Sequence, residues 1–158
     1  MTLRLPAAIR DELIAHAREG APEEVVGALA GERGASEAST WNERAESGAT
    51  RECGDDASMV EAQYRADNAA AAPRTRYEIA PDEELELLDR IDEAGLGVVG
   101  FYHSHPQGPL APSETDARLA AWPGYSYVIV SLASEPDIGS WRWTGERFER
   151  EEIDIVIR

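Results

Sequence analysis

Apolar residues recur along this chain with two different periods, and each change of period marks an expected element. Residues 7–18 predict an amphipathic helix that ends at Gly20. Its apolar positions lie three and four residues apart: Ile9, Leu13, Ile14 and Ala17. A second helix is predicted from Pro81 to about Ala94, because an apolar face precedes Gly95. That face consists of Leu85, Leu88 and Ile91.

Short apolar runs bounded by glycine, proline and polar residues predict the strands. The expected strands cover residues 3–5, 25–31, 38–42, 76–79, 97–105, 125–132, 138–143 and 148–157. The last two form a hairpin near Gly145. Residues 43–72 are polar and keep no period, which predicts a mobile loop with one helical turn at most. We therefore expect the α/β class, a mixed sheet with flanking helices in a single domain over residues 1–158.

Composition narrows the classes of protein that the chain can represent. There are 31 Asp and Glu against 15 basic residues, a net charge of −16, and every basic residue is Arg. Such a charge repels phosphates and anionic membranes, so we expect neither nucleic acid nor membrane as a partner. It suits a high-salt cytoplasm, where acidic surfaces keep proteins in solution. Without a long apolar run or a signal-peptide pattern, the protein is predicted to be cytoplasmic.

A single cysteine, Cys53, limits the chemistry available for a metal site. It excludes an internal disulfide and a cysteine zinc cage, so any metal must be held by nitrogen and oxygen. The predicted strand over residues 97–105 is apolar up to Tyr102 and ends in His103 and His105. Residues two apart on a strand share one face, with Cα atoms about 6.6 Å apart at about 3.3 Å rise per residue. Their two imidazoles can therefore close on one ion.

Three further residues extend this motif to a catalytic metal site. Asp116 follows a short proline-containing loop and can supply the third ligand, leaving a fourth position open for water. Ser113 precedes an expected third helix that includes Asp116, Leu119 and Trp122, and it is placed to hydrogen-bond that water or a substrate oxyanion. Proton transfer to a leaving amine needs a second carboxylate. Glu24, at the entrance of a buried strand, is the candidate, because partial burial would raise its pKa.

Each of these residues also has a purely structural interpretation. Two histidines can end a strand without binding a metal, and Ser113 is a good helix N-cap whatever else it does. Asp116 can simply favour the positive end of its helix, and Glu23 competes with Glu24 as the catalytic carboxylate. The aromatic residues of the C-terminal half are expected in the core, and His16 is expected on the surface of the first helix.

The residues together resemble the JAMM/MPN+ metalloprotease family. Its pattern is HxH, seven residues, Ser, two residues and Asp, which His103, His105, Ser113 and Asp116 match in this chain. The segment PEEVVGALAG, residues 22–31, resembles the family's segment in which a catalytic Glu precedes a glycine-containing strand. Many prokaryotic relatives place a Cys two residues after that Glu, where this chain has Val26.

The resemblance implies a cytidine-deaminase-like fold, a Zn²⁺ ion and an activity. His103, His105 and Asp116 would bind the zinc, Glu24 would act as general acid and base, and Ser113 would stabilise the oxyanion. The implied reaction is hydrolysis of the isopeptide bond between a ubiquitin-like modifier and a substrate lysine. The acidic, lysine-free composition is similar to that of archaeal desampylases, which act on SAMP-type modifiers; linear fusions are also possible substrates.

Two other functions remain open at this point. Some prokaryotic relatives remove an amino acid from the C-terminus of a sulfur-carrier protein during cysteine or cofactor synthesis. Relatives that have lost their metal ligands act as non-catalytic scaffolds, a reading that predicts a broken motif. A nucleoside deaminase is disfavoured, because those enzymes bind zinc through a PCxxC motif and this chain has only one cysteine.

Overall fold

The structure is a computed structural model that describes residues 1–34 and 57–157. Its three described helices are α1 (Ala7–Gly20), α2 (Pro81–Glu93) and α3 (Glu114–Leu119). The described strands are β1 (Thr2–Pro6), β2 (Val26–Glu32), β3 (Ala57–Ala66), β4 (Gly97–His105), β5 (Ser126–Ser131), β6 (Asp137–Trp143) and β7 (Phe148–Val156). No helix in this part of the chain is long and apolar enough to cross a bilayer.

The described strands form one mixed sheet that closes on itself. Their order is β1-β3-β2-β4-β5-β6-β7, and β1 pairs in parallel with both β3 and β7 to complete the closure. The pairing of β4 with β5 is also parallel, whereas the other pairs are antiparallel. β4 lies between β2 and β5, so its hydrogen-bonding groups are used on both sides and its C-terminal end is held in place.

Two hydrophobic clusters pack against opposite faces of the sheet. The inner core buries Leu13 and Ala17 of α1 against one face. Its strand residues are Leu3, Leu5, Leu29, Val60, Val99, Tyr102, Val128 and Val130. The outer core packs Leu87 and Ile91 of α2 against the other face. An apolar stripe on each helix therefore fixes its side of the sheet. The face predicted for α2 was wrong in part: Ile91 is buried as expected, but Leu87 is the second buried residue and Leu85 is 64% exposed.

An extra residue in β4 sets which side chains reach which face. Leu29 of β2 pairs with Gly100 of β4, and the next β2 residue, Ala30, pairs with Val98. Val99 lies between these two pairs as an extra residue, which is a β-bulge. Val99 consequently joins the inner core although Phe101, two residues later, joins the outer core. The bulge therefore resets the alternation just before the histidines.

Most elements agree with the sequence prediction, and the mixed α/β architecture is confirmed. The expected second helix, the central strand over residues 97–105 and the C-terminal hairpin are all present. The cytidine-deaminase-like description of the sheet stays a prediction. The expected strand over residues 38–42, the earlier part of the expected mobile loop and Cys53 lie outside the described residues.

Three of the elements expected from the sequence differ in the structure. The loop expected over residues 43–72 contains β3, which pairs with β1 and β2; small and polar residues hide its alternation in the sequence. Residues 76–79, expected as a strand, have an irregular conformation. The side chain of Asn68, instead of a neighbouring strand, hydrogen-bonds the carbonyl of Arg76 and the N–H of Glu78. The third expected helix stops at Leu119, so Trp122 lies beyond it and packs against Phe101.

His16 is partly buried rather than a surface residue. Its Nδ1 lies 2.8 Å from the hydroxyl of Tyr102, and that hydroxyl donates to Oε1 of Gln63 at 3.1 Å. Burial, and then the charge of Arg65, lower the pKa of His16 to about 4, while Glu19 opposes them. The neutral imidazole is therefore part of the folded structure at neutral pH.

We expect this neutral histidine to make the fold sensitive to acid. The unfolded pKa of about 6.5 exceeds the folded value, so protonation favours unfolding, and stability is lost as the pH falls from about 6.5 to about 4. In His16→Gln that contribution disappears. Urea midpoints measured at about pH 7 and pH 5 should therefore fall further for the wild type than for the variant. Parallel changes in the two proteins would contradict this account.

The close approach of β4 to β5 gives a second expectation. A Cβ at Gly100 would overlap the carbonyl oxygen of Ser126, a backbone atom that cannot rotate away. Gly100→Ala should therefore lower the free energy of unfolding, measured by urea denaturation, by about 1–3 kcal/mol or more. Gly97→Ala is the control on the same strand, because the nearest atom to its added Cβ is 3.7 Å away. Equal stability of the two variants would refute the steric argument.

Candidate metal centre

The candidate centre lies at the C-terminal end of β4. Side chains alternate along the strand, so His103 and His105 share the face of Phe101, whereas Tyr102 points to the inner core. Hydrogen bonding to both neighbouring strands holds this end of β4. His103 pairs with Val26 of β2 on one side and with Ile129 of β5 on the other. His103 is 2% exposed and His105 is 6% exposed. The two imidazoles therefore meet in a buried position.

A helix cap brings the carboxylate of Asp116 to the same point. Ser113 precedes α3, and its Oγ accepts a hydrogen bond from the backbone N–H of Asp116 at 3.0 Å. In return, the Oδ2 of Asp116 accepts from the backbone N–H of Ser113 at 2.9 Å. This reciprocal capping box fixes the first turn of the helix. It also fixes the direction of the Asp116 carboxylate, which is only 2% exposed.

Three donor atoms converge with the spacing that a metal ion requires. Nε2 of His103 lies 3.3 Å from Nε2 of His105, and Oδ2 of Asp116 lies 3.2 and 3.1 Å from these two nitrogens. Ligands about 2.0–2.1 Å from one tetrahedral ion are separated by about 3.3 Å. The three residues also form the one group of potential metal ligands found in the described residues. The donor set fits Zn²⁺.

The hydrogen bonds around His105 strengthen this assignment. Its Nδ1 lies 2.9 Å from the carbonyl oxygen of Pro109, which can only accept, so Nδ1 carries a proton. When the imidazole is neutral, Nε2 therefore presents a lone pair that faces the lone pairs of the Asp116 carboxylate. Two acceptors in a buried contact repel each other unless a proton or a cation lies between them. The centre is therefore built to hold a positive charge.

The pKa values of the three residues reflect the same geometry. Burial raises the pKa of Asp116, but hydrogen bonds with both histidines and with the N–H of Ser113 outweigh it and hold the pKa well below its usual range. Burial is the main effect at His103 and lowers its pKa. Burial alone would also lower the pKa of His105. The hydrogen bonds to Asp116 and to the carbonyl of Pro109 outweigh burial there, so the net effect is a raised pKa. His103 differs because it is more deeply buried.

Glu24 lies beside this group at the start of β2. The backbone of its neighbour Val25 is tied to Ser104 of β4 by two bonds: Val25 N–H donates to Ser104 Oγ at 2.9 Å, and Ser104 N–H donates to Val25 O at 3.1 Å. Glu24 is 7% exposed, and its Oε1 is buried without a hydrogen-bond partner in the described part of the chain. The competing carboxylate, Glu23, is exposed.

The environment of Glu24 gives it an unusual acidity. Burial raises its pKa to about 7, with His105 opposing and the charge of Asp116 contributing to the increase. A carboxyl group with this pKa exchanges a proton readily at neutral pH. The charges of two of the three candidate ligands, His105 and Asp116, act on this carboxyl group. The buried carboxyl can therefore serve chemistry at the centre.

The irregular segment over residues 67–80 forms one wall of the site, a role that its sequence pattern does not predict. Its Asn68 donates to the carbonyls of Glu24 and Arg76, both at 2.9 Å, and accepts from the N–H groups of Ala70 and Glu78 at 3.0 and 3.1 Å. The preference of asparagine for such side-chain bonds to turns is a signal that could have revealed this loop.

Tyr77, on the same segment, is the second residue that was missed. Its ring stacks on the imidazole of His103, with centroids 4.1 Å apart and planes 19° apart. A single tyrosine within a short alternating segment carries no mark of such a contact. The predicted site residues, by contrast, all lie together: the three candidate ligands converge, Ser113 caps the helix of Asp116, and Glu24 lies alongside.

The fold and this centre define a family. The model of the prokaryotic homologues of the JAB domain matches residues 6–144, and the chain belongs to this JAB, or JAMM/MPN+, family of peptidases. In solved structures, the chain is similar to a protein from Desulfitobacterium hafniense determined in solution. Their TM-score is 0.78 at 30% identity, over 99% of this chain and 94% of that one.

Three relatives carry names of related meaning. The chain is 38% identical to the desampylase of Haloferax volcanii, over 98% of this chain and 96% of the relative. It is 30% identical to a probable TtuB-protein conjugate cleaving protease of Thermus thermophilus, over 77% and 66% of the two chains. It is 27% identical to the CysO-cysteine peptidase of Mycobacterium tuberculosis, over 98% and 91% of the two chains. All three names describe peptidases or conjugate-cleaving enzymes.

The hydrogen bonds of Asn68 lead to a prediction for the site wall. Asn68→Asp keeps the shape but replaces both N–H donors with an acceptor that faces the carbonyls of Glu24 and Arg76. We expect the free energy of unfolding to fall by about 1–3 kcal/mol and the hydrolytic rate to fall with it, because the backbone of Glu24 loses an anchor.

Urea denaturation and a cleavage assay measure these two effects. Asp67→Asn is the matched control, since this neighbouring residue is exposed and undergoes the opposite exchange of amide and carboxylate. Its stability should stay within about 0.5 kcal/mol of the wild type. If Asn68→Asp were as stable and active as this control, the anchoring role would be refuted.

Proposed function

We propose that this protein is a zinc-dependent isopeptidase that separates ubiquitin-like modifiers from the lysines of their targets. The observation that carries the proposal is the convergence of three buried donor atoms beside a buried carboxyl with a pKa of about 7. The desampylase relative, similar over nearly the full length of both chains, supports the choice of substrate. A cytidine-deaminase-like fold and a cytoplasmic location belong to the same proposal.

His103, His105 and Asp116 are the proposed zinc ligands. The ion, when bound, would polarise the scissile carbonyl and acidify a water molecule. The protein's own part is to hold the ligands in one geometry: Pro109 orients His105, and the capping box orients Asp116. Hydrogen bonds of this kind to metal ligands fix their orientation and increase their basicity.

Glu24 is proposed to move the proton. As general base, its carboxylate accepts a proton from the attacking water, and as general acid it delivers that proton to the amine nitrogen while the C–N bond breaks. A pKa of about 7 suits both halves of this cycle at neutral pH. The unpartnered Oε1 leaves one carboxyl oxygen available for the water. Glu23, the competing carboxylate, is exposed to solvent instead of buried.

Ser113 is proposed to stabilise the oxyanion while it caps the helix. Its Oγ accepts from the N–H of Asp116, which leaves the hydroxyl proton available to a second acceptor. The residue is exposed, so a substrate can reach it. A donor aimed at the developing negative charge contributes in the transition state more than in the ground state. The capping and catalytic roles therefore coexist.

The substrate is proposed to be a modifier conjugate of a high-salt cytoplasm. The net charge of −16 and the absence of lysine distinguish the chain, and a chain without side-chain amines cannot itself receive a modifier at lysine. The same charge disfavours nucleic acid and membrane partners. Linear fusions of the modifier are a second group of substrates within this proposal.

Processing of a sulfur-carrier protein is the alternative, favoured by the similarity to a CysO-cysteine peptidase. That reaction removes an amino acid from a carrier C-terminus instead of opening a lysine isopeptide bond. A non-catalytic scaffold is disfavoured, because its motif should be broken and all five candidate residues are present here.

The decisive test combines chelation with a carboxylate substitution. A ubiquitin-like modifier joined to a lysine side chain is incubated with the protein in high salt. Phenanthroline should abolish cleavage and added zinc should restore it. Glu24→Gln should lower kcat by about 10²–10⁴-fold, the range expected for general acid and base catalysis, while zinc affinity is retained. Asp116→Ala should lose both zinc and activity, because a ligand is removed.

Glu23→Gln is the matched control, an identical change at the adjacent exposed position, and it should keep full activity. Full activity of Glu24→Gln with loss in Glu23→Gln would transfer the catalytic role to Glu23. A modifier carrying one extra C-terminal amino acid is assayed in parallel. Cleavage of this substrate without cleavage of the isopeptide would favour sulfur-carrier processing, and zinc binding without any cleavage would favour the scaffold.

A further inference from the structure

The two histidines of the centre are supported in different ways. Nδ1 of His105 is bonded to the carbonyl of Pro109, which sets the plane of its ring. The hydrogen bonds that His103 makes within the described part of the chain all involve Nε2, the atom that faces the other donors. A metal-binding histidine usually has a hydrogen-bond partner at its other nitrogen. At His103 some other contact must therefore hold the ring.

Tyr77 makes that contact. Its ring lies nearly parallel to the imidazole, 19° apart with a centroid distance of 4.1 Å. A parallel ring at this distance leaves no space for water over the covered face and resists rotation of the imidazole, since rotation would drive one ring into the other. The contact thus restricts the same torsion that Pro109 restricts at His105 through a hydrogen bond.

The segment that carries Tyr77 is built to keep the ring there. Asn68 ties it to the carbonyl of Glu24 at 2.9 Å, and the N–H of Glu24 donates in turn to the carbonyl of Pro73 at 2.7 Å. At the start of the segment, the N–H of Asp67 donates to the carboxylate of Glu83 on α2. Anchors at β2 and at α2 therefore make the stacked geometry a property of the fold.

We propose that Tyr77 is a positioning residue for the metal ligand His103, whose ring it holds by stacking in place of a hydrogen bond at Nδ1. The role belongs to the aromatic face and does not require the hydroxyl. The inference rests on the proposed role of His103 as a zinc ligand, and it extends the centre to a residue of the 67–80 segment.

Metal affinity in the absence of substrate tests this inference. Zinc affinity is measured by competition with a chromophoric chelator, and cobalt is added separately so that its absorption reports the ligand geometry. Tyr77→Phe keeps the ring and should bind zinc within about threefold of the wild type. Tyr77→Leu removes the ring and should bind zinc about 10–100-fold more weakly, the range for loss of a contact that orients a ligand.

Tyr64→Leu is the matched control for loss of an aromatic side chain. Tyr64 packs in the outer core with the guanidinium of Arg90 over its ring, 5.0 Å away. This variant should lose stability without losing zinc affinity. The thermal midpoint of each metal-free variant, measured alongside, separates weaker metal binding from general destabilisation.

Two results would overturn the inference. Wild-type zinc affinity in Tyr77→Leu would show that the stack does not position His103. Equal losses in Tyr77→Phe and Tyr77→Leu would assign the effect to the hydroxyl instead of the ring. If the wild type itself bound neither metal, the proposed function would fail as well. If it bound zinc and cleaved conjugates while Tyr77→Leu retained its affinity, only the role of Tyr77 would fail.

Discussion

The close approach of three atoms that carry lone pairs, in a buried position, is the constraint on which the candidate centre depends. Two imidazole nitrogens and a carboxylate oxygen lie 3.1–3.3 Å apart in a buried position. Solvent cannot screen them there, so the arrangement needs a cation or a proton between the donors. The surrounding fold supplies the rigidity that keeps them together, through a strand bonded on both sides and a reciprocally capped helix. A metal ion bound between the donors would supply that positive charge and would be held by all three atoms.

Burial acts in opposite directions on the two carboxyl groups of the site. Asp116 accepts several hydrogen bonds, which hold its pKa well below the usual range despite burial. Glu24 has an oxygen without such a partner in the described part of the chain, and burial raises its pKa to about 7. One carboxylate therefore stays charged and suited to a metal, while the other is suited to proton transfer. Such a division between neighbouring acids is characteristic of hydrolytic sites.

The strand end and the helix cap at the candidate site, which the structure shows as the sequence predicts them, depend on local geometry. His103 and His105 share a face because a strand repeats every two residues, and Ser113 caps its helix because a serine before a helical turn bonds that turn. The contacts of Asn68 and Tyr77 are not local in this sense. The sequence predicts a loop and a short strand for their segment, because apolar and polar residues alternate over residues 76–79. In the structure the side chain of Asn68 hydrogen-bonds the backbone of this stretch, which no neighbouring strand in the described residues does.

By itself, the sequence determined the donor types, their spacing and the direction in which a strand and a capped helix point them. These properties follow from backbone periodicity and hydrogen bonding between near neighbours, which any short segment carries with it. Only the tertiary structure decided that β1 closes the sheet against β7, that Glu24 is buried beside Asp116 and that Tyr77 covers His103. The physical reason is that burial, stacking and pKa shifts arise from distances through space, and packing sets those distances.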